Sequence, residues 1–325
     1  MNVYIVGRGA VGTFLGDRLR SVGVDVEYAP RAIDDVKPYD ADVAIVATKS
    51  FDTDSAIETL RKAIPYPEKC VFVTPQNGVG NEEKLAAAFG ADRVVAAALT
   101  VPIDRDRDGR ASASSEGGIA FAPVGASAYN WLVATFAATG LHVKVVDDWR
   151  SLKWSKLALN VVANASCAIL NVLPNRLVHY DAMFTLEIRM IREVRDVMKA
   201  MGVAQTDLPR YPVRALFGTV TLPSPIARPL LADRIAGGRG TKVPSLLTDL
   251  RQAKQQTEVD VLNGAVVAAG LQYGVPTPVN AVYARVLADI AHMPQLWAKY
   301  RENPDTLEAE VAAEMKRAKA LARGR

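Results

Sequence analysis

The chain begins Met1-Asn2-Val3-Tyr4-Ile5-Val6-Gly7-Arg8-Gly9-Ala10-Val11-Gly12, an apolar β-branched run that leads directly into the pattern G-x-G-x-x-G. A strand, a tight glycine turn and a helix, in this order, form the pyrophosphate-binding unit of dinucleotide-binding domains. The glycines allow the turn and a close approach of the backbone, and the N-terminus of the following helix attracts the phosphate charge. We therefore expect a dinucleotide to bind at this turn; the alternative is a glycine turn with a structural role only. The expected binding residues are Gly7, Arg8, Gly9, Ala10, Val11 and Gly12.

The end of the second predicted strand indicates which dinucleotide binds. The chain reads Val26-Glu27-Tyr28-Ala29-Pro30-Arg31 at this point. An acidic side chain at the strand end binds the ribose 2′-hydroxyl of NAD, whereas an arginine suits the 2′-phosphate of NADP. Because Glu27 lies inside the strand and Arg31 just beyond it, we expect the cofactor to be NADP, as NADPH. The alternative is that Arg31 is an ordinary surface charge.

Outward from this unit, the first half of the sequence alternates short β-branched runs with helical patterns. Such alternation predicts a parallel sheet with helices on both faces. The stretch at 104–118 contains Asp-Arg-Asp-Arg-Asp-Gly-Arg and predicts an exposed turn or loop. The predicted strands are 3–6, 24–28, 43–47, 71–74, 94–98, 119–123 and 141–146, with helical patterns at 10–21, 53–62 and 82–89.

From Asp148 onward, long helical periodicity of apolar residues replaces the strand pattern. We therefore expect an α/β protein with two domains. An NADP-binding domain at 1–148 is built on a Rossmann-type doubly wound sheet, and an all-helical substrate and catalytic domain occupies 149–325. The stretch at 209–244, rich in proline and glycine, predicts an irregular connection. The predicted helices of the second domain are 149–173, 182–201, 245–270, 279–292 and a surface helix at 305–325.

Two polar residues follow later predicted strands. Lys49 comes after the strand at 43–47, and Asn77 follows the strand at 71–74 within Gln76-Asn77-Gly78-Val79-Gly80. Ligands of doubly wound sheets bind outside the carboxyl ends of the strands. We therefore expect Asn77 to contact cofactor or substrate; the alternative is that Asn77-Gly78 only forms a turn.

In the second half, one cation and two amides interrupt an apolar run that suits a buried helix. Lys156, Asn160 and Asn164 are spaced i, i+4 and i+8, which predicts that one helix stacks them on one face. Buried polar groups cost free energy unless they meet polar partners, so this stripe is a candidate site. A partly buried lysine can stabilise the alkoxide of a ketone reduced by hydride and supply its proton. The alternative is a lysine that extends to the surface and amides that bind backbone carbonyls.

Composition limits the classes of function. The formal net charge of +4 on 325 residues is a mild excess, much of it in the last predicted helix, and predicts no nucleic-acid partner. Three asparagines interrupt the longest apolar segment, at 157–173, so we expect no membrane span, and the N-terminus has no signal-peptide pattern. The three histidines are scattered and the two cysteines lie in apolar runs. We therefore expect no metal site and a reducing, cytoplasmic location.

Several motifs, in order along nearly the whole chain, resemble those of the ketopantoate reductases (2-dehydropantoate 2-reductases). This resemblance implies NADPH-dependent reduction of a 2-keto acid that bears a 4-hydroxyl group, with Lys49 and Asn77 bordering the cofactor. The motifs are the glycine turn with Arg31, Ala47-Thr48-Lys49, residues 76–80, 152–160, 244–249, 256–264 and 274–280.

The resemblance also implies roles for residues of the second domain. Lys156 is implied as the proton donor, and Asn160 and Asn164 as substrate contacts. Ser245 is implied to hold the substrate carboxylate, and Glu258 to meet the hydroxyl or the nicotinamide side. From helix chemistry alone, Ser245 could be a helix N-cap and Glu258 a solvated helix charge.

The expected reaction is the reduction of ketopantoate to pantoate. Leu246 stands where the family usually has methionine, and the connection before it differs from that of the simplest members, so a different 2-keto acid is the first alternative. A non-catalytic NADP-binding sensor is the alternative from another functional class. The expected partner is a small-molecule 2-keto acid, and a homodimer is compatible with the sequence.

Overall fold

The first strand, β1 (Asn2–Val6), shows why the central sheet is buried on both faces. Val3 and Ile5 belong to one hydrophobic cluster, whereas Tyr4 and Val6 belong to another, because successive side chains of a strand alternate between faces. Strands that are apolar at every position are typical of parallel sheets covered by helices on both sides. The computed structural model describes residues 1–105, 108–126, 129–239 and 242–323.

A seven-stranded sheet forms the centre of the N-terminal part, in the strand order β2-β1-β3-β4-β5-β8-β9. The first five strands are parallel; β8 runs antiparallel to β5, and β9 runs parallel to β8. The order reverses at β1, so a crevice between β1 and β3 is expected at their carboxyl ends. After β1, the strands are β2 (Asp25–Tyr28), β3 (Val43–Val46), β4 (Val71–Thr74), β5 (Val94–Leu99), β6 (Ile103–Arg105), β7 (Ala111–Ala113), β8 (Gly118–Pro123) and β9 (His142–Val145).

Helices cover both faces of this sheet. One face packs against the helices at 10–20 and 130–138, through residues such as Phe14 and Phe136, and the other packs against the helices at 53–63 and 81–89, through residues such as Leu60 and Leu85. The predicted doubly wound α/β arrangement is thereby confirmed. The helices are α1 (Ala10–Arg20), α2 (Thr53–Ala63), α3 (Asn81–Phe89) and α4 (Asn130–Ala138).

The stretch predicted as an exposed loop at 104–118 contains a small hairpin. Strand β6 pairs antiparallel with β7, with Ile103 opposite Ala113. Side chains of Ile103 and Ala111 pack against the cluster beneath α1, which gives this short hairpin an apolar anchor. Asp106 and Arg107 of the predicted loop lie outside the described residues.

The chain divides into two compact units. The first unit comprises Met1–Lys156 and Thr206–Pro212, and the second comprises Leu157–Gln205 and Val213–Arg325. The division falls within α5 (Trp149–Val161) rather than at residue 148. The sequence pattern changes where this helix begins, but residues 149–156 of the helix still belong to the sheet unit.

The segment Thr206–Pro212 belongs to the first unit through polar contacts. The Thr206 amide donates to Ser155 Oγ at 2.9 Å, and Thr100 Oγ1 donates to the Pro209 carbonyl at 2.9 Å. Lys144 Nζ donates to the Asp207 carbonyl at 2.6 Å. These bonds hold a segment that is distant in sequence against the end of the sheet.

The second unit is helical, as predicted. Its long helix α8 (Asp181–Ala200) buries eleven of its twenty side chains, and α13 (Pro278–His292) buries an apolar face in the same unit. The predicted surface helix at 305–325 is confirmed up to Arg323; its last two residues lie outside the described part of the chain. The helices are α6 (Ala165–Leu170), α7 (Pro174–Leu177), α8 (Asp181–Ala200), α9 (Val213–Thr221), α10 (Ser224–Arg239), α11 (Ser245–Arg251), α12 (Ala265–Tyr273), α13 (Pro278–His292), α14 (Trp297–Tyr300) and α15 (Pro304–Arg323).

Three predictions about helix lengths are wrong. The connection predicted as irregular contains α9 and α10, the latter with Pro229 inside it. The helix predicted at 245–270 ends at Arg251 and resumes as a π-helical turn, Asp260–Gly264, that continues into α12. The helix predicted at 149–173 is interrupted at residues 162–164. Apolar periodicity continues across such breaks, so it could not locate them.

In the described residues, no helix is long and apolar enough to span a membrane.

Glu193, on α8, anchors the start of α13. Its carboxylate accepts hydrogen bonds from the Val279 and Asn280 amides, each at 3.0 Å, and from Asn280 Nδ2 at 2.8 Å. Burial raises the pKa of Glu193 to about 7, and these donors oppose the shift. Because the folded-state pKa lies above that of the unfolded chain, its contribution to stability is complete at low pH and is lost as the pH rises through 7.

Glu193→Gln is therefore expected to reduce the pH dependence of stability. Shifting the carboxyl pKa from 4.5 to about 7 contributes about 2 kcal/mol more to the folding of the wild type at pH 5 than at pH 7. Urea unfolding at both pH values measures the free energy of unfolding. The value for the wild type minus the value for the variant should be about 2 kcal/mol more positive at pH 5 than at pH 7. An equal difference at the two pH values would show that Glu193 is ionised throughout this range.

Candidate functional site

In the glycine turn after β1, two glycines leave no room for a side chain and the third does. Gly7 has φ +105°, and a Cβ there would lie 2.6 Å from the Ala47 carbonyl carbon. A Cβ at Gly12 would lie 1.9 Å from the Gly7 carbonyl oxygen, whereas a Cβ at Gly9 would meet nothing within 4 Å. The turn thus packs against the end of β3, and the backbone at Gly9 stays open at the N-terminus of α1. This is the geometry that a pyrophosphate needs.

Arginines surround the end of β2. The guanidinium carbons of Arg8 and Arg20 lie 4.9 Å and 5.1 Å from the centre of the Tyr28 ring, which is within cation–π range. The Tyr28 hydroxyl donates to the Gly12 carbonyl at 3.3 Å, so the ring connects the strand end to the glycine turn. Arg31 is exposed just beyond the strand. Arg8 and Arg31 therefore place positive charge at the strand end where an adenosine ribose binds in such domains.

A buried polar network joins the segments that follow β3 and β4. Ser50 Oγ donates to the Asn77 carbonyl at 2.8 Å, and Asn81 Nδ2 donates to the same carbonyl at 3.2 Å. Gln76 Nε2 donates to Thr53 Oγ1 at 3.0 Å. Since Lys49 directly precedes Ser50, the network brings the two predicted cofactor residues, Lys49 and Asn77, onto adjoining segments at the carboxyl edge of the sheet. Both side chains are half-buried.

A buried ion pair that the sequence pattern does not predict lies beside this network. Lys153 on α5 is 1% exposed, Glu82 in the first turn of α3 is fully buried, and Lys153 Nζ lies 2.9 Å from Glu82 Oε1. The ammonium also donates to the Gln76 carbonyl at 2.5 Å. Burial raises the pKa of the Glu82 carboxyl, and the ammonium opposes that shift. The only local signal was a lysine between Leu152 and Trp154 in an apolar helix.

Lys156 and Asn160 lie one turn apart on α5 and are half-buried, but Asn164 does not share that helix. Residues 162–164 form a turn, and Asn164 is the N-cap residue of α6. The Ala163 amide donates to Glu187 Oε2 at 2.6 Å, and Ala163 has φ +46°. The buried carboxylate thus takes this amide out of the helical ladder. The predicted single stripe is therefore wrong, although Asn164 Nδ2 still reaches the Asn160 carbonyl at 3.1 Å.

Two further predicted substrate residues lie in the second unit. Asn164 Oδ1 accepts a hydrogen bond from the Leu246 amide at 3.3 Å. Because Ser245 directly precedes Leu246, Asn164 lies beside the start of α11, which carries Ser245. Ser245 is the exposed first residue of α11, and the N-cap position belongs to Pro244. The alternative of Ser245 as an N-cap therefore fails. Glu258 is 4% exposed and lies in a turn before the π-helical segment, so it is not a solvated helix charge.

The described residues contain no group of three or more histidine, cysteine or carboxylate side chains that could hold a metal ion. Cys70 and Cys167 are buried and free. A cavity of about 460 Å³ in the second unit is lined by α8, α15 and the segment before α13, and it contains none of the predicted site residues.

Comparison with known proteins identifies relatives of both halves. Residues 148–291 match the family described as "Ketopantoate reductase PanE/ApbA C terminal", and residues 25–126 match "Ketopantoate reductase PanE/ApbA". A 2-dehydropantoate 2-reductase from Pyrobaculum aerophilum is 29% identical over 299 residues, covering 85% of this chain and 93% of the relative. One from Caulobacter vibrioides is 29% identical over 246 residues, covering 76% of each. The crystal structure of a PanE/ApbA-family ketopantoate reductase from Ralstonia eutropha has a TM-score of 0.75 and 27% identity, covering 91% of this chain and all of that one.

Proposed function

The chain belongs to the ketopantoate reductase family, and we propose that it reduces ketopantoate to pantoate with NADPH. The observation that carries the proposal is the match over residues 148–291. That range contains every residue expected at the catalytic and substrate positions. They are Lys156, Asn160, Asn164, Ser245 and Glu258.

The first unit offers a fitting site for NADPH. The open backbone at Gly9 would receive the pyrophosphate, because no side chain covers the N-terminus of α1 at this position. Arg8 and Arg31 would hold the 2′-phosphate beside the end of β2, and Lys49 and Asn77 would border the rest of the cofactor. When bound, NADPH supplies the hydride that adds to the keto carbon.

Lys156 would stabilise and protonate the product oxygen. Once the keto carbon is reduced, its oxygen would carry the former C=O π electrons as a negative charge, and it would take a proton from Lys156 Nζ. The partly buried ammonium favours this step because its charge opposes the developing negative charge, and solvent returns the proton afterwards. Asn160 and Asn164 would orient the substrate, Ser245 would bind its carboxylate, and Glu258 would accept a hydrogen bond from its 4-hydroxyl group.

Steady-state NADPH oxidation tests the proposal. The wild-type protein is assayed with ketopantoate and with 2-keto acids of similar size that lack the 4-hydroxyl group, and ketopantoate should have the highest kcat/KM. A higher kcat/KM for another 2-keto acid would change the substrate within the same reaction class. Tight NADPH binding without turnover of any keto acid would favour a non-catalytic sensor. Sedimentation of the same sample tests the homodimer.

Arg31→Ala tests the choice of cofactor. Loss of one charge-assisted contact with the 2′-phosphate should weaken NADPH binding by about tenfold to a hundredfold and leave NADH binding nearly unchanged. Titration of each nucleotide by fluorescence measures both dissociation constants. Lys37→Ala, which removes another exposed cation from the same segment, is the control. An equal loss of affinity for NADPH and NADH would show that Arg31 does not bind the 2′-phosphate.

A further inference from the structure

The Lys153–Glu82 pair is the most completely buried ion pair among the described residues, and the proposed reaction does not use it. Lys153 Nζ contacts Glu82 Oε1 at 2.9 Å, the Gln76 carbonyl at 2.5 Å and the Ala97 carbonyl, on β5, at 3.4 Å. One ammonium therefore joins α5, α3, β5 and the segment after β4 within the first unit. Of these, α5 is distant in sequence from the other three, which follow one another along the chain, so the ammonium ties α5 to them.

The energetics of such a pair argue against a role in stability alone. Taking an ammonium and a carboxylate out of water costs several kcal/mol per ion, and their mutual attraction often does no more than offset that cost. Two apolar side chains of similar volume would fill the same space without it. Apolar contacts do not depend on direction, whereas an ammonium holds its hydrogen-bond acceptors at defined distances and angles.

The contacts of this ammonium lead to the residues expected at the reaction. Gln76, whose carbonyl it holds, directly precedes Asn77, and the Gln76 side chain donates to Thr53 Oγ1 and the Thr48 carbonyl on the segment that carries Lys49. On the other side, Lys153 precedes Lys156 by one turn of α5. A change at Lys153 would therefore be transmitted to the cofactor segments and to the proton donor at once.

We propose that Lys153, with Glu82, is a positioning residue that holds the segment at 76–81 against the helix that carries Lys156. This inference rests on the proposed function, because it assigns the pair a part in aligning cofactor and proton donor. Misplacement of reacting groups by about 1 Å can lower a rate by about a hundredfold, so a loose register at this point should reduce kcat. It should affect KM for the keto acid much less, because the polar contacts of Lys153 are to Glu82 and to the Gln76 and Ala97 carbonyls and include none of the expected substrate-binding side chains.

The test replaces both charges, because removal of one alone leaves the other buried without its partner. In the double variant Lys153→Met and Glu82→Leu, kcat is expected to fall at least tenfold, with KM for the keto acid within about threefold of the wild type. Amide hydrogen exchange at residues 76–81 is expected to become at least tenfold faster, while exchange in the glycine turn at 7–12 is unchanged.

The matched control is the double variant Lys84→Met and Asp54→Leu. It removes an exposed lysine–carboxylate pair, at 2.7 Å, that also joins α3 to a neighbouring helix of the same unit. Its kcat and its exchange at 76–81 should stay within twofold of the wild type. If the buried double variant fails to fold, Glu82→Gln keeps the volume and one acceptor, and the same two measurements apply with an expected loss in kcat of at least threefold.

The two proposals fail in different ways. A folded buried double variant with wild-type kcat and wild-type exchange at 76–81 would overturn the positioning role. A wild-type protein that reduces no 2-keto acid would overturn the proposed function, yet hydrogen exchange would still report whether the pair holds the segment.

Discussion

Lys156→Ala is expected to lower kcat for 2-keto acid reduction by about a hundredfold or more, because the change removes both the proton donor and the cation that stabilises the oxyanion. Lys156 is half-buried on α5, one turn from Asn160, so a substrate held by that amide would be within reach of the ammonium. Steady-state NADPH oxidation measures kcat, and fluorescence titration of NADPH shows whether the cofactor still binds.

Two comparisons make this prediction specific. Lys144→Ala removes another half-buried lysine of the same unit and should leave kcat within about twofold of the wild type, since its hydrogen bond is to the Asp207 carbonyl. Lys156→Arg keeps the charge on a group that gives up its proton poorly, and should therefore retain part of the oxyanion stabilisation and little of the proton transfer. A kcat of Lys156→Ala close to that of the wild type would show that another group donates the proton.

Gly12→Ala is expected to weaken NADPH binding by about a hundredfold or more and to destabilise the protein by about 3 kcal/mol. The added Cβ would lie 1.9 Å from the Gly7 carbonyl oxygen, so the turn and the start of α1 must separate. Because that carbonyl is backbone, no side-chain rotation can relieve the overlap. Thermal unfolding of the protein without cofactor measures the stability, and NADPH titration measures the binding.

Gly9→Ala, in the same turn, separates the effect of a side chain on protein stability from its effect on NADPH binding. Its Cβ would meet nothing within 4 Å, and its φ of −82° is accessible to alanine, so the stability should change by no more than about 0.5 kcal/mol. NADPH binding should still weaken, because the methyl group occupies the space that the pyrophosphate needs. Normal NADPH affinity in Gly9→Ala would place the phosphates away from this turn.

The sheet domain could be predicted from sequence because its signals are local. A strand such as β1 is recognised from a few consecutive apolar residues, and the strands observed at 43–46 and 71–74 lie within one residue of the predicted ones. The site was predicted less completely. The positions of Lys49 and Asn77 at strand ends followed from topology, whereas the Ser50 and Gln76 hydrogen bonds that join their segments depend on partners from separate loops.

The interruption after α5 marks the limit of sequence periodicity. Leu157, Val161 and Ala168 fit one continuous apolar face, yet the helix ends at Val161 because Glu187, from another helix, accepts the Ala163 amide. Glu187 belongs to α8, and no sequence pattern near residue 163 predicts its contact with the Ala163 amide. The spacing of Lys156 and Asn160 was therefore interpreted correctly, and the extension to Asn164 was not.

Local sequence is enough to specify the strand–turn–helix unit at residues 2–20 and the alternation of strand and helix that builds the sheet. The physical reason is that backbone preferences, side-chain periodicity and the conformational freedom of glycine act between neighbours in the chain. The burial of the Lys153–Glu82 pair and the break at Ala163 were set by packing of distant segments. A buried charge or amide is stable only beside its partner, and folding alone brings that partner from elsewhere in the chain.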